Sequence, residues 1–159
     1  MSYLLETREL YKYYSKKKQP ALNGLTLNIP QGRIIGLLGP NGSGKTTLIK
    51  LINGLLTPTS GSLAINGHMP GTESKAVISY LPERTCLSGS MRVRELISFF
   101  ADFYADFSVD KAYDMLASLE IHPDERLKTL SKGTREKVQL ILVMSRNAQL
   151  YILDEPIAG

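Results

Sequence analysis

The run Gly39-Pro40-Asn41-Gly42-Ser43-Gly44-Lys45-Thr46 constrains this 159-residue chain more than any other, because it fits G-x-x-x-x-G-K-[ST], a loop shaped around phosphate groups. Glycines at 39, 42 and 44 let the backbone take positive φ and approach a ligand with no Cβ in the way, so that successive N–H groups converge on phosphate oxygens. Lys45 brings a full positive charge for the β- and γ-phosphates. The hydroxyl of Thr46 is a hard oxygen ligand suited to Mg²⁺, and Thr47 follows it at the start of the next element. A strand, this loop and a helix, in that order, define an α/β nucleotide-binding unit.

The flanking sequence fits that order. Arg33-Ile34-Ile35-Gly36-Leu37-Leu38 is a short apolar run of the kind expected for a buried parallel strand delivering the chain into the loop. After Lys45, apolar residues at Leu48, Leu51, Ile52 and Leu55 follow the i, i+3, i+4, i+7 spacing of a helix with one buried face, and Asn53-Gly54 supplies a stop. The start of this helix, with unpaired N–H groups and the positive end of its dipole, is an anion site.

Composition bounds the rest. A chain of this length with 43% hydrophobic residues supports one ordinary domain, and a formal charge of +4 suits nucleotides, membrane surfaces and nucleic acid equally. One cysteine, Cys86, cannot form an internal disulfide, and no apolar segment is long enough to cross a bilayer, so a cytoplasmic location is expected, with membranes reached through a partner.

A second chemical element closes the sequence. Leu150-Tyr151-Ile152-Leu153 reads as a core strand that ends in Asp154-Glu155-Pro156. In open parallel sheets ligands gather at the carboxyl ends of strands, so two adjacent carboxylates there can divide the work. Asp154 is assigned to Mg²⁺ and Glu155 to positioning and deprotonating the attacking water, with Lys45 beside Glu155 among the catalytic candidates.

Between the two elements stands Leu130-Ser131-Lys132-Gly133-Thr134-Arg135-Glu136-Lys137, and here the chain resembles the ATP-binding domains of ABC transporters, whose signature begins Leu-Ser-x-Gly and precedes a strand ending in Asp-Glu-Pro. Independently of the resemblance, Ser131 is a good N-cap, and the following Val138-Gln139-Leu140-Ile141-Leu142-Val143-Met144 is apolar nearly all round and expected to be buried. The resemblance implies a P-loop NTPase fold of the ABC type, with an N-terminal antiparallel β portion and an inserted helical subdomain. It implies ATP and Mg²⁺ as cofactors, and a head-to-tail dimer, homo- or heteromeric, in which Ser131, Lys132, Gly133 and Thr134 contact the γ-phosphate held by the second ATP-binding subunit. It also implies integral membrane permease subunits as partners, peripheral attachment to the cytoplasmic face of the membrane, and no nucleic acid.

Further positions carry over by resemblance. Tyr14 fits the place of an aromatic that stacks on adenine, with Tyr11 or Tyr13 as alternatives, while Lys16-Lys17-Lys18 reads as a solvated hairpin tip. Glu83, in Leu81-Pro82-Glu83, stands where the family has a glutamine that contacts Mg²⁺; a carboxylate keeps an oxygen ligand but adds negative charge near phosphates. Leu-Pro-Glu and Leu-Ser-Lys-Gly resemble a bacterial export-type subgroup. Residues 91–107 carry Phe99, Phe100, Phe103, Tyr104 and Phe107 at near-helical spacing. Core packing accounts for most of them and leaves one or two for a docking surface. His68 and His122 read as surface residues.

The organisation expected is one ABC-type domain over 1–159, with a β-rich and P-loop core over 1–84, a helical subdomain and signature helix over 85–145, and the Asp-Glu-Pro strand over 146–159. Family domains continue beyond such a strand to a further histidine, so the last part of the core is expected to be missing. The alternatives are a soluble ABC-type ATPase acting on ribosomes or DNA, and a nucleotide-binding fragment with little hydrolysis.

Overall fold

A computed structural model describes residues 3–15, 19–83 and 87–154. Its contacts divide the chain into two compact units, 1–78 and 79–159.

The first unit is built on three antiparallel strands, β1 (Leu5–Lys12), β2 (Leu22–Ile29) and β3 (Ser60–Ile65), with β1 in the middle. Leu5 is opposite Ile29 on one side and Ile65 on the other. Both Thr7 and Leu10 are buried, although an odd separation should place them on opposite faces of a regular strand. A bulge resolves the conflict: the register shifts between Thr7 and Leu10 on the β2 edge and between Arg8 and Tyr11 on the β3 edge, and Glu9 takes a φ of 45°. The bulge also explains Gly61, where a Cβ would lie 2.0 Å from the Glu9 carbonyl oxygen. Helix α1 (Lys45–Ile52) packs on β3 and buries Leu48, Leu51 and Ile52, as its spacing predicts, together with Ile49. Asn53 caps it and Gly54 leaves at a φ of 67°. Leu55 therefore lies past the helix end and is 61% exposed, not on the buried stripe as expected. A short helix, α2 (Thr72–Val77), completes the unit.

Residues 33–38 depart from expectation. They form no strand, and Ile34 and Leu38 are almost wholly exposed. An apolar run becomes a buried strand only if other strands supply hydrogen bonds on its edges and layers cover its faces. Among the described residues, both sheets are made by other elements, and Gly36 in the middle of the run lowers its own strand tendency.

The second unit is mainly helical. Helices α3 (Val93–Phe103), α4 (Val109–Ser118) and α5 (Lys132–Met144) enclose Val93, Leu96, Ile97, Leu116, Val138, Ile141 and Leu142. Phe100 and Phe107 pack against this core, whereas Phe99 and Phe103 stack on each other at 6.1 Å and stay exposed. Strand β4 (Ile78–Leu81), which starts at the unit boundary, pairs with β5 (Leu150–Leu153). The β5 side chains are half-buried and Leu153 is 41% exposed, so this strand exists but is not the fully buried core strand its composition suggests. Pairing with a single neighbour among the described residues is the reason. No described helix is long and apolar enough to cross a membrane.

Candidate functional site

The phosphate loop takes its shape from Gly44. This residue precedes α1 in the left-handed conformation, φ 97° and ψ 1°, and a Cβ there would meet the Ala21 carbonyl oxygen at 2.5 Å. Only glycine satisfies both conditions, and α1 can then begin at Lys45 with no side-chain cap on its first N–H groups. Upstream, Ser43 N–H donates to the Pro40 carbonyl at 3.2 Å. Lys45 Nζ donates to the carbonyls of Gly39, at 2.5 Å, and Pro40, at 3.0 Å. These acceptors are neutral, so the ammonium braces the loop while keeping its charge for an anion. Gly39, Pro40, Asn41, Gly42, Ser43 and Thr46 are exposed, whereas Thr47 turns inward and is buried.

Tyr14 lies beside the same helix. Its hydroxyl is 3.2 Å from Thr47 Oγ1, and Lys12 Nζ is 5.8 Å from its ring centroid. Tyr13 is more exposed than Tyr14, and Tyr11 is half-buried with its hydroxyl against Gly24. Of the three tyrosines considered from the sequence, Tyr14 is the one bonded to the phosphate-loop helix. Residues 16–18 lie outside the described residues.

In the second unit, Asp154 follows β5 directly, and its N–H donates to the Leu81 carbonyl at 2.9 Å. Glu83 is exposed just beyond β4. The two carboxylates are felt by Tyr80, whose pKa is raised above its ordinary value of 10.0, first by burial, then by the charge of Asp154, then by that of Glu83. Glu155 and Cys86 lie outside the described residues. Ser131 caps α5 as expected: its Oγ accepts the Thr134 N–H at 3.1 Å and lies 2.8 Å from Thr134 Oγ1. Lys132 pairs weakly with Glu136 at 3.8 Å, and the space around Gly133 is open. The helix thus starts with a basic residue and no acidic residue in its first turn, which leaves its N-terminal dipole uncompensated. His68 and His122 are exposed; His68 Nδ1 lies 2.6 Å from Glu73 Oε2, and His122 Nδ1 accepts the Asp124 N–H at 3.2 Å.

Among the described residues, no three His, Cys, Asp or Glu side chains group as a metal cage. The hydroxyl of Thr46 in the first unit and the carboxylate of Asp154 in the second are each, taken separately, oxygen donors of the kind that suits Mg²⁺, an ion commonly held by one or two protein oxygens together with waters and phosphates. Sequence reasoning missed the polar junction around Arg146, which is 5% exposed and forms a double hydrogen bond with Asp106 at 2.9 and 3.1 Å. The partners stand forty positions apart, so no local pattern signals the pair.

Comparison with known proteins identifies the family. Residues 22–158 match the family model described as ABC transporter. The chain is 35% identical over 144 residues to an uncharacterized ABC transporter ATP-binding protein, YhaQ, of Bacillus subtilis, covering 87% of this chain and 48% of that protein. It is 33% identical over 162 residues to the SkfA peptide export ATP-binding protein SkfE of the same organism, covering 98% of this chain and 67% of the relative. A solved structure of a putative ABC transporter ATP-binding protein from Pyrococcus furiosus superposes with a TM-score of 0.83 at 34% identity, over 98% of this chain and 76% of the other. The chain thus spans about half the length of the first of these relatives, and another relative is named a phosphonates import ATP-binding protein. The chain carries in sequence order a phosphate loop set by a left-handed glycine, a serine-capped helix and a strand followed by Asp154, and with a family model matching residues 22–158 it belongs to the ABC transporter family, in its ATP-binding domain.

Proposed function

We propose that this chain binds Mg·ATP at residues 39–46 and hydrolyses it as the ATP-binding subunit of an exporter. The reading rests chiefly on one observation: Gly44 in the left-handed conformation starts α1 directly at Lys45, whose ammonium is hydrogen-bonded to carbonyls and forms no ion pair among the described residues. Backbone N–H groups and Lys45 hold the triphosphate, and Lys45 also stabilises charge that develops during transfer. Tyr14 supplies an aromatic face for adenine, and Thr47 a second hydroxyl beside it. Thr46 and Asp154 are the residues that would hold Mg²⁺, with Glu83 as a further oxygen ligand. The bound ion neutralises phosphate charge. Glu155 orients the attacking water and accepts its proton.

Ser131, Lys132, Gly133 and Thr134 serve a second ATP-binding subunit, identical or different, and separate membrane subunits carry the transported substrate. This places the chain at the cytoplasmic face of a membrane. Export is favoured by Leu81-Pro82-Glu83 and Leu130-Ser131-Lys132-Gly133, and a relative named for peptide export supports it.

Binding of a fluorescent ATP analogue tests the core of this reading. Lys45→Ala should weaken it by about tenfold to a hundredfold, the loss expected for a charge-assisted contact to phosphate. Undiminished affinity would remove the phosphate site from residues 39–46. Direction is tested separately, by transport into inside-out or right-side-out vesicles that contain the membrane partner.

A further inference from the structure

Arg146 lies where α5 gives way to β5, at the bottom of a junction made entirely within the second unit. Its guanidinium donates through Nε and Nη2 to both carboxylate oxygens of Asp106 and sits 4.1 Å from the centroid of the Tyr104 ring. The backbone repeats the link, since Asn147 N–H donates to the Asp106 carbonyl at 3.0 Å and Ser108 N–H donates to the Ser145 carbonyl at 2.8 Å. From the same residue the connection runs into β5. The Tyr151 hydroxyl donates to the Arg146 carbonyl at 2.6 Å and accepts the Ala148 N–H at 3.1 Å, which folds residues 146–151 into a fixed turn. At its other end β5 is held by Asp154 N–H on the Leu81 carbonyl.

We propose that Arg146 is a positioning residue for the carboxylate strand: clamped between Asp106 and Tyr104, it fixes where β5 begins, and so where Asp154 is presented. The inference rests on the proposed ATPase reading, in that the strand end it positions is the one assigned to Mg²⁺ and water. The physical argument is one of lever length. β5 has only four residues and one paired neighbour among the described residues, so strand pairing alone fixes its register weakly. A buried, planar, doubly hydrogen-bonded guanidinium has one geometry with its carboxylate, whereas a lysine has many. The junction therefore supplies the rigidity that the short ladder lacks.

Amide hydrogen exchange of the full chain, read peptide by peptide, tests this without requiring turnover. Arg146→Met retains most of the packing on Tyr104 and removes the Asp106 pair. It should speed exchange over residues 148–154 by tenfold or more, and leave β1 and β2 within twofold of the parent. Because Met opposite the half-buried Asp106 carboxylate can unfold the unit, Asp106→Asn serves as the isosteric second variant and should show the same pattern, with Arg146→Lys intermediate. Where the chain turns over ATP, kcat should fall by tenfold or more and the affinity for ATP should change by less than twofold. Parent-like exchange over 148–154 in Asp106→Asn would overturn the proposal, as would equal acceleration in both units, which marks general loosening. A parent chain that binds no ATP would overturn the ATPase reading instead, and the exchange pattern would still decide the role of Arg146.

Discussion

Residues 33–38 and Leu150–Leu153 are both short apolar runs leading into polar residues suited to phosphate chemistry, yet one lies open and the other is a strand. The first is followed by a loop that satisfies itself, through Lys45 on the Gly39 and Pro40 carbonyls. The second is tied at both ends, through Tyr151 to Arg146 and through Asp154 to Leu81. Apolar composition made both runs candidates, and hydrogen-bond partners distant in sequence separated them. The contrast suits the two tasks. The loop of residues 39–46 is shaped by its own glycine and lysine, whereas Asp154, the carboxylate proposed for Mg²⁺, has no local device to hold it and depends on distant supports.

Breaking each region in turn should give different losses. The largest effect is expected at Glu155: Glu155→Gln should keep ATP binding and lower hydrolysis by about a hundredfold or more, the range for loss of a general base. Steady-state phosphate release beside analogue binding checks this, and the same phenotype from Asp154→Asn with an active Glu155→Gln would exchange the two roles.

Exchange kinetics sharpen the structural half of the contrast. Amides of residues 34–38 should exchange at least about tenfold faster than those of Leu150–Leu153, because an exposed segment outside any strand or helix has no ladder to open first. Matching protection would mean that residues 33–38 form a strand in solution.

A smaller change is expected at Glu83. If it contributes an oxygen to Mg²⁺, Glu83→Gln should shift the Mg²⁺ concentration for half-maximal hydrolysis by about tenfold or less, roughly the worth of one charge-assisted contact, and leave metal-free nucleotide binding unchanged. Superimposable Mg²⁺ titrations would exclude it as a ligand.

The smallest effect is at Tyr80. Its raised pKa means that the folded state favours the neutral phenol, so the associated stability is fully present below pH 10 and is lost as pH rises through the raised value. Asp154→Asn should lower that pKa towards its ordinary value without reaching it, since burial is the larger cause. An NMR titration of the Tyr80 ring that is unmoved by Asp154→Asn would place the carboxylate farther away.

What the sequence determined by itself is the set of features whose physics is local. Gly44 before Lys45, Ser131 three residues before the Thr134 N–H, and Asn53-Gly54 after a buried stripe each act within one turn of chain, and each is found where its pattern places it. The order of these elements also sufficed for the family resemblance. Tertiary structure alone decided which apolar run became a strand, which face of β1 Leu10 occupies after the bulge at Glu9, and which arginine supports the carboxylate strand. In each of these cases the deciding partner is far away in the sequence: the Leu81 carbonyl for Asp154, Gly61 for Glu9, Asp106 for Arg146. A residue's composition states what it can bond to, but only the folded chain brings that partner within 3 Å.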